Sequence, residues 1–118
     1  MKLATLKKRK DFILSNKHGK KFHSINFIIQ EYYKSDDITH RNFFGFTATK
    51  RIGNAVKRNR AKRIMRSLII ALLKEDKMLF KEKYSYVLIA KQTILKTPFF
   101  ELYNQFKECL SKSWLKVF

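Results

Sequence analysis

The sequence predicts a single-domain α+β sandwich spanning residues 1–118, with helices around a small mixed sheet in the order α-β-β(-β)-α-β-α and one parallel β-α-β crossover. Three observations predict it. Residues 22–33, 42–49 and 84–90 are rich in aromatic and β-branched side chains, either alternating or continuously apolar, as strands are. Residues 55–74 and 97–110 space their apolar side chains three and four apart, as helices with one buried side do. No repeat and no Pro/Gly/Ser linker interrupts the chain, which holds one Pro and three Gly, so it reads as one unit around one core.

Each element has its own signals. Residues 6–17, LKKRKDFILSNK, read as a short helix with Leu6, Ile13 and Leu14 as candidate buried positions. His18-Gly19 ends it, Gly being common just past a helix C-terminus. FHSINFIIQEYY (22–33) reads as one long strand with Ile25, Phe27 and Ile29 on one face. KSDDITHR (34–41) is a polar loop, and NFFGFTAT (42–49) a second strand in which Gly45 marks a bulge or a close backbone approach. Gly53 supplies a turn and Asn54 an N-cap for a helix from Ala55 to Lys74, whose apolar stripe is Ala61, Ile64, Met65, Leu68 and Leu72. Beyond the charged loop KEDKMLFKEK, YSYVLIA (84–90) reads as a central strand covered on both faces. Thr97 is the expected N-cap of the last helix, with Pro98 at its first position and Phe99, Leu102, Phe106, Cys109 and Leu110 on its apolar side.

Charge narrows the function. Lys and Arg number 27 against nine acids, for a formal net charge of +18. Self-repulsion on that scale opposes compaction unless a polyanion neutralises it, so nucleic acid is the first partner to consider. The longest unbroken apolar run, Leu68 to Leu73, is far short of the ~20 residues of a membrane span. The opening MKLATLKKRKDF has no apolar segment of the secretory kind, so the expected compartment is the cytoplasm. The lone Cys109 allows no internal disulfide and no Cys-based zinc site, and is expected to be a small core residue.

The charge concentrates in RIGNAVKRNRAKRIMRS, residues 51–67, with seven Lys or Arg and no carboxylate. Arg58, Lys62 and Arg66 stand at i, i+4 and i+8, with Asn59 and Arg63 beside them. This cationic side is expected opposite the Ile64/Leu68/Leu72 stripe, with Arg60 on another flank and Lys57 near the helix start. Like charges four apart cost a helix ~0.2–0.5 kcal/mol per pair. A face that merely meets water normally interleaves acids, so a phosphate-binding face is the better reading. A helix-turn-helix needs a helix just before its recognition helix, and here a strand precedes, so DNA is set aside in favour of structured RNA. Protein-borne catalysis lacks the means. Asp36 and Asp37 are neighbours in a polar loop, and His18, His23 and His40 have no metal-ligand spacing. No Gly-x₄-Gly-Lys loop or Gly-x-Ser-x-Gly elbow occurs either.

KRIGNAVKRNRAKRIMR, Lys50 to Arg66, resembles the signature of the bacterial ribonuclease P protein family: a Lys-rich turn, Gly-Asn-Ala-Val, an Arg-Asn-Arg core and further basic residues. DFILSNKHGKKF (11–22) resembles that family's first helix and basic turn, and YSYVLIAK its last strand, so the likeness covers nearly the whole chain in order. The resemblance implies a ribosomal protein S5 domain 2-like fold in the protein subunit of a ribonucleoprotein endonuclease that removes the 5′ leader of precursor tRNA. It implies no catalytic residue in this chain: the RNA subunit holds the Mg²⁺ ions and performs the hydrolysis, and the protein itself needs no metal or cofactor. The partners it implies are the catalytic RNA and precursor tRNA, with no membrane and no DNA. On it, Lys50, Arg51, Asn54, Lys57, Arg58, Asn59, Arg60, Lys62, Arg63 and Arg66 would face RNA. Phe12, Asn16, His18, Lys20 and Phe27 would line a leader cleft between the first helix and the sheet, Phe12 stacking a base or else serving ordinary core packing. The chain departs from the family where Asn16 replaces a second aromatic and Gln30 a frequent Tyr; Phe27 and Tyr32 are the candidate replacements. The other reading of the residues is a basic ribosome-associated or RNA-chaperone protein that binds structured RNA without serving a nuclease.

Overall fold

The structure is a computed structural model and describes residues 3–6, 9–33 and 42–115. The predicted loop 34–41, with Asp36, Asp37 and His40, and Lys7 and Lys8 of the predicted first helix lie outside the described residues. Three helices, α1 (Arg9–His18), α2 (Ala55–Glu75) and α3 (Phe99–Leu115), surround four strands, β1 (Lys20–His23), β2 (Phe27–Tyr33), β3 (Phe43–Thr47) and β4 (Tyr84–Ala90). The sheet order is β1-β2-β4-β3. β4 pairs antiparallel with β2 and parallel with β3, so α2 is the expected crossover and β4 the expected central strand.

Period-two alternation sorts the sheet into two faces. Phe27, Ile29 and Glu31 of β2 share one face with Tyr86, Leu88 and Ala90 of β4 and with Phe44. This is the core face, covered by Met65, Leu68 and Leu72 of α2 and by Leu102, Phe106 and Leu110 of α3, all essentially inaccessible. Ile28 and Gln30 of β2, Val87 and Ile89 of β4, and Gly45 and Thr47 of β3 point the other way, where α1 crosses the sheet.

Three sequence expectations need correction. The long strand 22–33 is two strands joined at Ser24–Asn26, closed by Ser24 N–H donating to the Phe27 carbonyl at 2.9 Å. The buried Asn26 side chain holds that turn, accepting from Thr93 and Thr97 and donating to Gln105, which leaves Ile25 72% exposed rather than on a strand face. Thr97 does not stand at the cap of α3 either: the first N–H bond of the helix runs from Leu102 to the Pro98 carbonyl, so Pro98 holds that position, and the Thr97 hydroxyl donates to Asn26. Finally, Leu6 is buried in an extended segment paired with β3 through Leu6 N–H to the Phe44 carbonyl, and Ile13 is exposed. α1 therefore begins at Arg9.

The charged loop after α2 also contributes to the core. Lys81 is buried: its Nζ lies 3.1 Å from Glu31 Oε1 and donates to the Ser113 carbonyl, while Ser113 Oγ donates to Glu31 Oε2 at 2.9 Å. A buried charge is tolerated when it is paired and hydrogen-bonded, as here. This pair ties the end of α3 to β2.

Candidate nucleic-acid interface

The basic segment is built from its turn upward. Gly53 has φ +141, open to glycine but strained for other residues, and so aims the chain into α2. Asn54 caps the helix as expected, its Oδ1 accepting from Lys57 N–H at 3.0 Å. The first turn of α2 holds no acid, although the free N–H groups of a helix start favour negative charge, and here Lys57 and Arg58 stand instead. Such an N-terminus with cations around it suits an incoming phosphate.

The buried stripe of α2 is Ala61, Met65, Leu68, Ile69 and Leu72. Because Ile69 belongs to it and Ile64 is only half-buried, the stripe is turned relative to the sequence expectation. Arg58 and Lys62 are half-buried at the margin of the core rather than opposite it, and Arg66 lies 5.4 Å over the Phe46 ring of β3. Asn59, Arg60 and Arg63 occupy the exposed back, and Lys50, Arg51 and Lys57 the exposed approach to the helix. Among the described residues, none of these cations is paired with a carboxylate; the ion pairs there are Lys81–Glu31, Lys107–Glu75 and Lys112–Glu108. Carboxylates gather instead at the far end, in Glu75 and Asp76.

A concavity of about 870 Å³ opens beside this segment, on the α1 side of the sheet. Ile25, Ile28 and Ile89 give it an apolar floor, and Lys50, Arg51 and Lys91 a cationic rim. Sequence reasoning missed the floor because YSYVLIA reads as covered on both faces, whereas α1 covers Val87 and leaves Ile89 half-exposed. The alternation of β2 with Ile28 facing away from Phe27 was the available signal.

Five residues were expected around a cleft here, and the structure divides them. α1 crosses from Gly45, where the Phe12 ring lies, to Gln30, which hydrogen-bonds Ser15 and Asn16. Phe12 and Asn16, one turn apart, share one flank of α1, while the side chains that line the concavity come from Ile25, β2, β4 and residues 49–52 and 91–93 rather than from α1. His18 is exposed but six residues beyond Phe12, two thirds of a turn away, and so lies on the opposite flank. Lys20 pairs with Glu31 in the sheet register and therefore shares the core-side face, while Lys21 and His23, paired with Gln30 and Ile28, stand on the cleft side. Phe27 is wholly buried, its ring 3.8 Å from that of Phe106, and cannot meet a ligand. Tyr32, the other candidate replacement, lies beyond Gln30 in the direction away from Ile28. Among the described residues no three His, Cys, Asp or Glu side chains are grouped to hold a metal, and no helix is long and apolar enough to cross a membrane.

A family model described as Ribonuclease P matches residues 1–114. The chain belongs to this family. The Ribonuclease P protein component of Caulobacter vibrioides is 40% identical over 91 residues, which are 77% of this chain and 58% of that protein, so the chain spans less than two thirds of that relative. The protein of the same description from Nitratiruptor sp. is 32% identical over 108 residues, 92% of this chain and 90% of its own length. Two solved structures share the fold. The RNase P protein of Staphylococcus aureus superposes with a TM-score of 0.76 at 23% identity, covering 95% of this chain and 96% of its own. That of Thermotoga maritima gives 0.72 at 20% identity, covering 92% and 96%. In this chain the Arg58-Asn59-Arg60 core sits in the first two turns of α2, shortly after the Thr49–Ile52 segment that lines the concavity.

Proposed function

We propose that this chain is the protein subunit of a ribonucleoprotein that removes the 5′ leader from precursor tRNA in the cytoplasm. It grips the catalytic RNA with α2 and the leader with the concavity beside α1. The reading rests on one observation above all: a row of cations that, among the described residues, have no carboxylate partners adjoins an apolar recess sized for nucleotides.

Each part has a physical role. Arg58, Lys62 and Arg66, with Arg60, Arg63 and Lys57 around them, neutralise RNA phosphates, and guanidinium forks bind such oxygens two at a time. Lys50, Arg51, Asn54 and Asn59 extend the contact around the start of α2. Phe12 offers a ring on which an unpaired base stacks, a contact worth ~1–3 kcal/mol per base. Ile28 and Ile89 exclude water from the floor of the concavity. The hydrolysis itself is assigned to the RNA subunit, which supplies Mg²⁺ to activate water; this chain positions the substrate and holds no catalytic group.

The RNA that co-purifies with the tagged protein tests this. A single catalytic RNA of defined length supports the reading, whereas ribosomal RNA alone would favour a ribosome-associated or chaperone role.

A further inference from the structure

We infer that Asn16 reads one nucleobase of the leader, donating to an exocyclic carbonyl and so favouring uracil over cytosine at that position. The inference rests on the leader reading above and goes further by assigning what the cleft selects.

Gln30 is 2% exposed, beneath α1 on the cleft side of the sheet. A buried primary amide needs a partner at both ends. Its Oε1 accepts from Ser15 Oγ at 3.1 Å and its Nε2 donates to Asn16 Oδ1 at 3.3 Å. With the Gln30 oxygen toward Ser15, its NH₂ faces Asn16, so the Asn16 oxygen is held inward and its NH₂ is turned outward. Among the described residues no protein acceptor takes those two N–H groups, and Asn16 is exposed.

The position of that donor gives it a use. Asn16 is four residues beyond Phe12, about 6 Å along the same flank. The floor of the concavity is aliphatic, so Phe12 is the ring that this flank offers for stacking, and a base resting there presents its edge toward the next turn. A fixed donor accepts the O4 carbonyl of uracil as partner and meets the N4 amino group of cytosine donor against donor. Uracil and cytosine share one ring and stack alike, so the pair isolates the exocyclic group.

The test uses the protein assembled with its catalytic RNA and a set of precursor tRNAs carrying U or C at one leader position at a time. The readout is the U/C ratio of kcat/KM. The wild type is expected to favour U by about three- to tenfold at one position, the span of one net hydrogen bond. Asn16→Asp, which can only accept, is expected to reverse that preference; because the ratio is internal, added charge or altered stability cancels. Gln30→Leu releases the Asn16 amide to turn over and is expected to bring the ratio near one. A ratio within twofold at every position in the wild type, or one that Asn16→Asp leaves unchanged, overturns the inference while leader binding stands. Equal affinity for leaderless tRNA and precursor tRNA overturns the leader reading itself, and this inference with it.

Discussion

The Phe12 ring occupies the space that a side chain at residue 45 would need: a Cβ built on Gly45 comes 2.6 Å from Phe12 Cε1 and 2.8 Å from Cζ. β3 therefore carries glycine where α1 presses a ring onto the sheet, and the wall of the cleft depends on that contact. Gly45→Ala forces the ring to move, at a cost of about 1–3 kcal/mol as for other overpacked sites. The check is a double-mutant cycle by urea denaturation: Gly45→Ala is expected to cost much less when Phe12→Ala is already present. Equal costs in both backgrounds would mean that the ring and the glycine do not meet.

The buried Lys81–Glu31 pair makes a second expectation. Lys81→Met leaves the Glu31 carboxylate inside the core with Ser113 Oγ but no cation, and removal of one partner of such a pair typically costs about 3–5 kcal/mol. Adding Glu31→Gln is expected to recover much of the loss, measured as the shift in denaturation midpoint at constant slope.

High pH probes the same cluster through Tyr86, whose hydroxyl accepts from Lys81 N–H at 2.8 Å. Burial, and next the Glu31 carboxylate, push its ionisation well above the ordinary 10.0. Above pH ~10 the unfolded chain releases a proton that the folded chain keeps, so this contribution to stability is complete below that pH and is lost as pH rises further. Stability measured from pH 8 to 11 is expected to fall over the upper part of the range, and less steeply in Tyr86→Phe.

Counterion release tests the proposed RNA contacts. Arg58→Ala with Arg60→Ala is expected to weaken association with the catalytic RNA and to flatten its salt dependence by ~1 or less per lost phosphate contact. An unchanged slope across a salt titration would assign those arginines elsewhere.

How much was legible in the sequence follows from how local each signal is. The Asn54 cap, the span of α2, the central β4 and the close approach at Gly45 were readable because a cap, a periodicity or a missing side chain declares itself within a few residues. The split of 22–33 into β1 and β2 was not, because Asn26 holds the turn through Thr93, Thr97 and Gln105, some 70 to 80 positions away. Facing went wrong for the same reason. Phe27 and Lys20 were expected in the cleft, but whether a strand residue points to α1 or α3 is set by register with a partner strand. Arg58 and Lys62 lie at the core margin by helical spacing alone, Arg58 three residues before Ala61 and seven before Met65, Lys62 three before Met65 and seven before Ile69, a relation that the expected cationic side overlooked. The Lys81–Glu31 pair joins residues 50 apart and left no pattern in either segment.

The most direct measurement of the central claim is cleavage of precursor tRNA by the purified chain with and without its catalytic RNA, at Mg²⁺ concentrations where that RNA alone works poorly. The account predicts cutting at the mature 5′ end by the assembled complex, enhanced over RNA alone, and none by the protein alone. Cutting by the protein without RNA, or no enhancement when the protein is added, would contradict it.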